Sequence, residues 1–187
     1  MRANREQMRE NRRTILEAAG RLFRERGFEA VTVTDVMKSA GLTHGGFYAY
    51  FKSKDCLIAE TLAELLGGGE PLSSDFPTLA AQYLTPEHRD NFAYGCPTAA
   101  LASDAIRQPG SARSEMTVGL RRQIERFSEV APGKDQTQKR RAAIGNWSAM
   151  VGALILARMS GDLELSNEVL RETRSWLSAQ VDEPETY

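Results

Sequence analysis

Apolar residues recur at three- and four-residue spacing along most of the chain, and no convincing strand alternation or internal repeat interrupts that pattern. Ile15, Ala18, Ala19, Leu22 and Phe23 predict a first helix over about Glu6–Arg26. Gly27 follows as its C′ residue, with Phe28 placed to pack back on the last turn. Thr32 and Asp35 form a Thr-x-x-acid start for a second helix, about Val33–Ala40, whose apolar side is Val36 and Met37. Gly41 ends it, and Thr43 is a candidate N-cap for a third helix over His44–Phe51. Ser53 caps a fourth, about Lys54–Leu66, which Gly67-Gly68-Gly69-Glu70-Pro71 breaks.

Further along, helices are predicted near Pro77–Leu84 and from Pro97 to about Gln108, where Pro109-Gly110 stops the chain. Thr85-Pro86-Glu87 resembles another helix start, and the stretch from there to Tyr94 stays unassigned. Longer helices follow over about Ala112–Val130, Asp135–Met159 and Leu165–Ala179, with a frayed tail expected around Asp182–Glu185. The helix from Asp135 has two unlike faces, small (Ala142, Gly145, Ala149, Gly152, Leu156) and large (Ile144, Trp147, Met150, Val151, Leu154), so burial on both sides is expected. The last helix gathers Val169, Leu170, Thr173, Trp176 and Leu177 on one face. The fold class is all-α.

The stretch GLTHGGFYAYFKSK, residues 41–54, does not optimise helix stability. Each interior glycine costs about 1 kcal/mol relative to alanine, yet two stand together beside four aromatics. Two short helices joined by a glycine turn behind a longer helix make a helix-turn-helix pattern. In such a unit the second helix enters the DNA major groove by its first residues. Gly45 and Gly46 then leave main-chain N–H groups bare where the backbone comes closest to the duplex. Tyr48 and Tyr50 offer hydroxyls to phosphate and Lys54 adds a charge, while Phe47 and Phe51, four apart, face the core. A three-helix packing unit with no partner is the plainer alternative.

Charge sharpens this reading. The 187 residues carry a net charge of −1, but residues 1–54 hold 11 Lys/Arg against 6 Asp/Glu, a balance of +5, and the remainder is acidic. A basic front suits a polyanionic partner. The N-terminal Arg2, Arg5, Arg9, Arg12 and Arg13 would follow the DNA backbone or a minor groove as an arm, or else form a solvated helix turn with Glu6 and Glu10. No apolar run approaches the roughly 20 residues of a membrane span, and the charged start lacks a signal peptide's apolar region. Cys56 and Cys96 make neither a disulfide framework nor a zinc spacing. A cytoplasmic protein without metal or cofactor is expected.

The residues Thr32-Val33-Thr34-Asp35-Val36, then Ala40-Gly41-Leu42-Thr43, then Phe47-Tyr48-Ala49-Tyr50-Phe51-Lys52-Ser53-Lys54-Asp55 resemble the N-terminal domain of TetR-family transcriptional regulators. The match spans roughly residues 10–60. It implies a DNA-binding domain over 1–54 and an effector-binding and dimerisation domain over 55–187. It also implies a homodimer on a palindromic double-stranded operator, with an effector that releases the DNA. Carried over, the family's DNA contacts fall at Thr32, Thr34, Thr43, His44, Gly45, Gly46, Tyr48, Tyr50 and Lys54, with His44 the best single candidate to read a base. Tyr50 departs from the histidine of many members, but tyrosine still donates to phosphate. Repression is the default sign of regulation, activation the other.

The small-residue stripe of Ala142, Gly145, Ala149, Gly152 and Leu156 would form the family's four-helix dimer interface with Leu170, Thr173, Trp176 and Leu177 of the last helix. The alternative is close packing within the same chain. The opposite face, Trp147, Met150 and Leu154, would look into its own subunit. With Met116, Leu120 and Phe127, and with Phe92, Tyr94 and Cys96 at one end, it would line a pocket for a hydrophobic or aromatic effector. Solid core is the plain alternative for such a stripe. Cys96, as N-cap of the helix beginning at Pro97, feels the positive end of a helix dipole, which favours its thiolate. It is thus either a covalent sensor of electrophiles or oxidants or a half-buried structural thiol, whereas Cys56 reads as packing. An enzyme is not expected: His88 and Cys96 lack a third orienting group and an oxyanion loop, and no phosphate loop or dinucleotide fingerprint is present. A DNA-binding dimer with no small-molecule effector is the remaining rival.

Overall fold

A computed structural model of the chain describes residues 2–67, 72, 75–108 and 110–179, with side chains from residue 5 onward. The glycine break at 68–71, Pro109 and the tail around 182–185 lie outside them. Every regular element among the described residues is helical. They are α1 (Arg2–Ala30), α2 (Val33–Ser39), a 3₁₀ segment (His44–Ala49), α3 (Lys54–Gly67), α4 (Phe76–Tyr83), α5 (Pro86–Asp90), α6 (Pro97–Ile106), α7 (Gly110–Val130), α8 (Gln136–Met159) and α9 (Leu163–Ala179). They fall into two compact units.

The first unit comprises Met1–Gly68 and Phe92–Gly119. Whereas the sequence reading draws a boundary at Lys54, this packed unit also takes in α3 and α6, because both lie against α1. The predicted stripe of α1 is inside: Ile15, Ala19 and Phe23 are buried, as are Leu57 and Leu62 of α3 and Leu101 of α6. Gly27 breaks α1 with φ 79° and ψ 169°, in the left-handed region that a side chain disfavours. The break turns the Phe28 ring back edge-on to Phe23, with centroids 5.2 Å apart. It also frees the Phe28 N–H, which donates to Asp104 Oδ2 of α6 at 3.0 Å. A Cβ at residue 27 would stand 2.5 Å from that same oxygen, so the glycine is required twice over.

The second unit comprises Gly69–Asn91 and Leu120–Tyr187. Asp75, Thr85 and Asp135 cap α4, α5 and α8, each accepting a backbone N–H from the residue three further on. In α8 the buried residues Ala143, Trp147, Met150, Leu154 and Ala157 form one inward stripe. Ile144 and Leu156 are exposed, so the helix is buried on one face within its unit rather than on two. By length and composition α8 is long and apolar enough to cross a membrane, a departure from the sequence reading, but Trp147, Met150 and Leu154 are spent on the packing of this unit. Buried Arg89 of α5 donates to Ser166 Oγ at 3.0 Å and Asn167 Oδ1 at 2.8 Å on α9. Arg158 of α8 donates to the carbonyls of Arg89 at 2.9 Å and His88 at 3.0 Å. One short helix is thereby held by both long ones.

Candidate nucleic-acid interface

The helix-turn-helix is built from local chemistry. Thr32 and Asp35 form a complete capping box: the Thr32 hydroxyl accepts the Asp35 N–H at 3.1 Å and the Thr32 N–H donates to Asp35 Oδ2 at 2.9 Å. The Thr32 hydroxyl also gives its proton to Asp35 Oδ2 at 2.6 Å. That hydroxyl bond, followed by the backbone N–H, holds the Asp35 carboxyl below the usual carboxylate range. Thr32 was expected to contact DNA, but its hydroxyl proton is already committed, and a phosphate would have to break the cap to receive it. Gly41, at φ 70°, turns the chain toward the recognition segment.

That segment is a 3₁₀ helix over His44–Ala49 rather than the predicted α-helix to Phe51. Its backbone closes with Gly46 N–H to Thr43 O at 3.1 Å and Tyr50 N–H to Phe47 O at 2.9 Å. Two glycines give little helical preference at its start, and 3₁₀ turns are frequent as connectors between helices. Phe47 and Phe51 are buried and stacked, centroids 5.7 Å apart, so the segment is anchored from beneath.

The opposite side is open. Thr43, whose side chain makes no cap hydrogen bond, stands exposed with His44, Gly45 and Tyr48, the last at 72%. Thr34 is exposed too, and its hydroxyl lies 3.1 Å from His44 Nδ1. Gly46, Tyr50 and Lys54 are half-buried at the margins. A Cβ at Gly45 would meet nothing within 4 Å, and at Gly46 it would meet only ordinary contacts, 3.7 Å from Thr43 Oγ1 and 3.8 Å from Met37 Cε. Neither residue has a positive φ. The fold therefore does not need glycine at either position.

The arginines at the N-terminus sit on α1, not on an extended arm. Arg13 is held between Glu10 and Glu17, at 2.6 and 2.5 Å. Arg12 is paired with Glu60 and lies over the Phe51 ring, 5.0 Å from its centroid. Arg5 and Arg9 stay exposed. Sequence reasoning missed Asn11, whose amide donates to the Tyr50 hydroxyl at 2.8 Å. Its spacing from Ile15, one turn on, places Asn11 on the inward side of α1 but does not name its partner.

The nine residues expected around an effector divide between the units. Phe92, Tyr94, Cys96 and Met116 belong to the first, where Met116 packs on the core while Phe92 and Tyr94 are exposed. Leu120, Phe127, Trp147, Met150 and Leu154 belong to the second. Of these Leu120 is surface, and the other four are buried, with the Phe127 and Trp147 rings 5.0 Å apart. Phe76 and Tyr83, which the sequence reading left out, join this cluster at 5.6 Å from Phe127 and 5.8 Å from Trp147. Cys96 is the half-buried N-cap of α6 and makes no side-chain cap bond. Burial pulls Arg24 below the ordinary guanidinium range, while neighbouring Tyr94 and Cys96 act in the other direction. The Arg24 Nη1 reaches Gly95 O at 3.4 Å.

The residues expected at a dimer interface also split. Leu170 and Leu177 are core residues of their own unit and are corrected accordingly: α9 turns that stripe inward, and Trp176, one residue from Leu177, comes out 52% exposed. Gly145 and Gly152 have open space where a Cβ would be, Leu156 is half exposed, and Ala142, Ala149 and Thr173 are intermediate.

The model of bacterial regulatory proteins of the tetR family matches residues 15–61, the segment that carries this open helix-turn-helix. Residues 15–61 are thus a helix-turn-helix segment of the tetR type. It is similar along its whole length to an uncharacterized HTH-type transcriptional regulator of Mycobacterium tuberculosis (strain H37Rv), 27% identical over 191 residues, covering 92% of this chain and 96% of that one. Over 52 residues it is 40% identical to the HTH-type transcriptional repressor KstR2 of Mycolicibacterium smegmatis, covering 28% of this chain and 25% of the repressor. Its fold is that of the reduced form of NemR from E. coli, with TM-score 0.70 at 21% identity over 95% of this chain and 100% of that one. A TetR-family regulator from Agrobacterium tumefaciens matches with TM-score 0.68 at 18% identity, over 90% of this chain and 98% of the other. By these likenesses the chain is a DNA-binding transcriptional regulator and not an enzyme.

Proposed function

We propose that this regulator is a homodimeric repressor, that it binds a palindromic operator through the 43–50 face, and that a small hydrophobic or aromatic effector releases it. The observation that carries the DNA-facing part is Gly45, a glycine its own fold does not require, on an exposed ledge between His44 and Tyr48. Thr34, Thr43, His44, Gly46, Tyr48, Tyr50 and Lys54 complete the contact set. Dimerisation is supported by the apolar side chains that α8 and α9 leave uncovered, above all Met159 at 74% and Leu163 at 64% exposure, beside Leu156 and Trp176. The aromatic cluster of Phe76, Phe127 and Trp147 supports an apolar effector, which would enter by parting rings that now touch.

The test is fluorescence anisotropy with DNA flanking the protein's own gene, followed by a panel of apolar and aromatic compounds. Saturable binding of a palindromic duplex by a species of two chains, reversed by one class in the panel, is the expected result. Binding by a monomer, or to any sequence equally, would reject it. DNA binding that no compound reverses would favour a dimer without an effector.

A second reading has its own observation. Arg24 stands near Cys96 at the start of α6, so a thiolate there would have a cation close by. A mild thiol electrophile that released DNA from the wild type but not from Cys96→Ser would replace the reversible effector with covalent sensing.

A further inference from the structure

Tyr50 is joined to α1 by a chain of side-chain amides. Gln7 Nε2 donates to Asn11 Oδ1 at 2.9 Å, and Asn11 Nδ2 donates to the Tyr50 hydroxyl oxygen at 2.8 Å. Gln7 and Asn11 lie four apart on one face of α1, whereas Tyr50 is 39 residues away, directly after the recognition segment. Every bond in this chain runs in the same direction. Because Gln7 holds the carbonyl oxygen of Asn11, the amide presents its N–H₂ to the phenol and not its oxygen. The Tyr50 oxygen therefore accepts from within, and its own proton must be given to something else.

We propose that Asn11 is a positioning residue for DNA binding, orienting the Tyr50 hydroxyl as a donor to a backbone phosphate, with Gln7 setting the polarity of the relay. This rests on the reading of Tyr50 as a DNA contact. Linear hydrogen-bond chains polarise their members, so a phenol that accepts from an amide is a better donor at its far end. A phosphate oxygen is an acceptor only and completes the chain without reversing it. Tyr50 is half-buried, so the ring is held by its surroundings and the remaining freedom is the rotation of the O–H, which the Asn11 bond restricts. The role differs from that of Tyr48, which is 72% exposed and meets Phe47 edge-on at 5.3 Å.

A double-mutant cycle on a fluorescein-labelled duplex, enriched by the wild-type protein from a randomised pool, tests the relay. Tyr50→Phe is expected to weaken binding about ten- to a hundredfold, the range of one hydrogen bond to a charged group. Asn11→Ala is expected to lose a large part of the same factor in the wild-type background and nothing beyond twofold in the Tyr50→Phe background. Asn11→Asp keeps the shape of the side chain but offers the phenol an acceptor. It should draw the proton inward and cost more with Tyr50 present than with Tyr50→Phe. Thermal melts of each variant separate lost contact from lost fold, and Asn11→Asp remains informative if Asn11→Ala unfolds α1. Equal losses from Asn11→Ala in both backgrounds would overturn the relay while leaving Tyr50 a contact. Undiminished binding by Tyr50→Phe would overturn the contact and the relay together.

Discussion

Thr34 Oγ1 and His44 Nδ1 meet at 3.1 Å, joining the exposed sides of α2 and the recognition segment ten residues apart. One ring nitrogen of His44 is thereby occupied, and Nε2 is the atom left to face a base edge. Thr34→Val would free the ring to turn without adding charge or removing bulk. Discrimination at the single base pair that His44 faces should fall by about 1 kcal/mol, the scale of one hydrogen bond. Affinities for a panel of single-base operator variants would show it, and discrimination unchanged at every position would rule His44 out as a base reader.

Gly45→Ala separates folding from binding more cleanly. Since a Cβ there meets nothing within 4 Å, the substitution should leave the melting temperature unchanged or raise stability by about 0.5–1 kcal/mol. Affinity for DNA should nevertheless fall tenfold or more, because the methyl group occupies the space of the duplex. A variant that is stable and binds fully would show that the ledge faces solvent.

Lys54, at the first position of α3, is expected to neutralise one phosphate. Lys54→Ala should then reduce the slope of log affinity against log salt by about one unit. An unchanged slope would remove Lys54 from the contact set.

Gly152 lies on the open side of α8, where a new side chain would meet nothing of its own chain. Gly152→Glu should therefore fold normally while shifting the sedimenting species from twice 20.7 kDa to 20.7 kDa. A Gly152→Glu dimer would place the interface elsewhere.

His88 provides a pH handle on the second unit. Burial holds its pKa below the ordinary 6.5, Arg158 adds to that, and the hydrogen bond to Tyr83 O at 2.7 Å opposes both. A depressed value means that the unfolded chain binds the proton more readily, so the stability His88 contributes is present above about pH 6.5 and lost as pH falls toward the folded value. The melting temperature should drop between pH 7 and 5, and His88→Gln should flatten that part of the profile.

Much of the first unit was legible because its signals are local. Gly27 with Phe28, the Thr32 and Asp35 box, and Ser53 accepting the Cys56 N–H at 3.1 Å each act within a few residues. The second unit was harder because both faces of α8 are apolar, and tertiary packing by α9 together with Tyr83 and Phe127 decides which is buried. Leu170 and Trp176, six apart, stand at the two edges of the predicted face of α9, and one is core while the other is half exposed. Asn11 escaped because its partner is 39 residues away, and no periodicity reports a pairing between a helix and the end of a turn.

Gly27 and Asp104 bear on how this chain can vary. A side chain at 27 would collide with the carboxylate of Asp104, and loss of that carboxylate would leave the Phe28 N–H without its acceptor. A change at either position disturbs the other, so relatives that place a larger residue at 27 are expected to differ at 104 as well. The pair constitutes a single heritable unit divided between two distant codons.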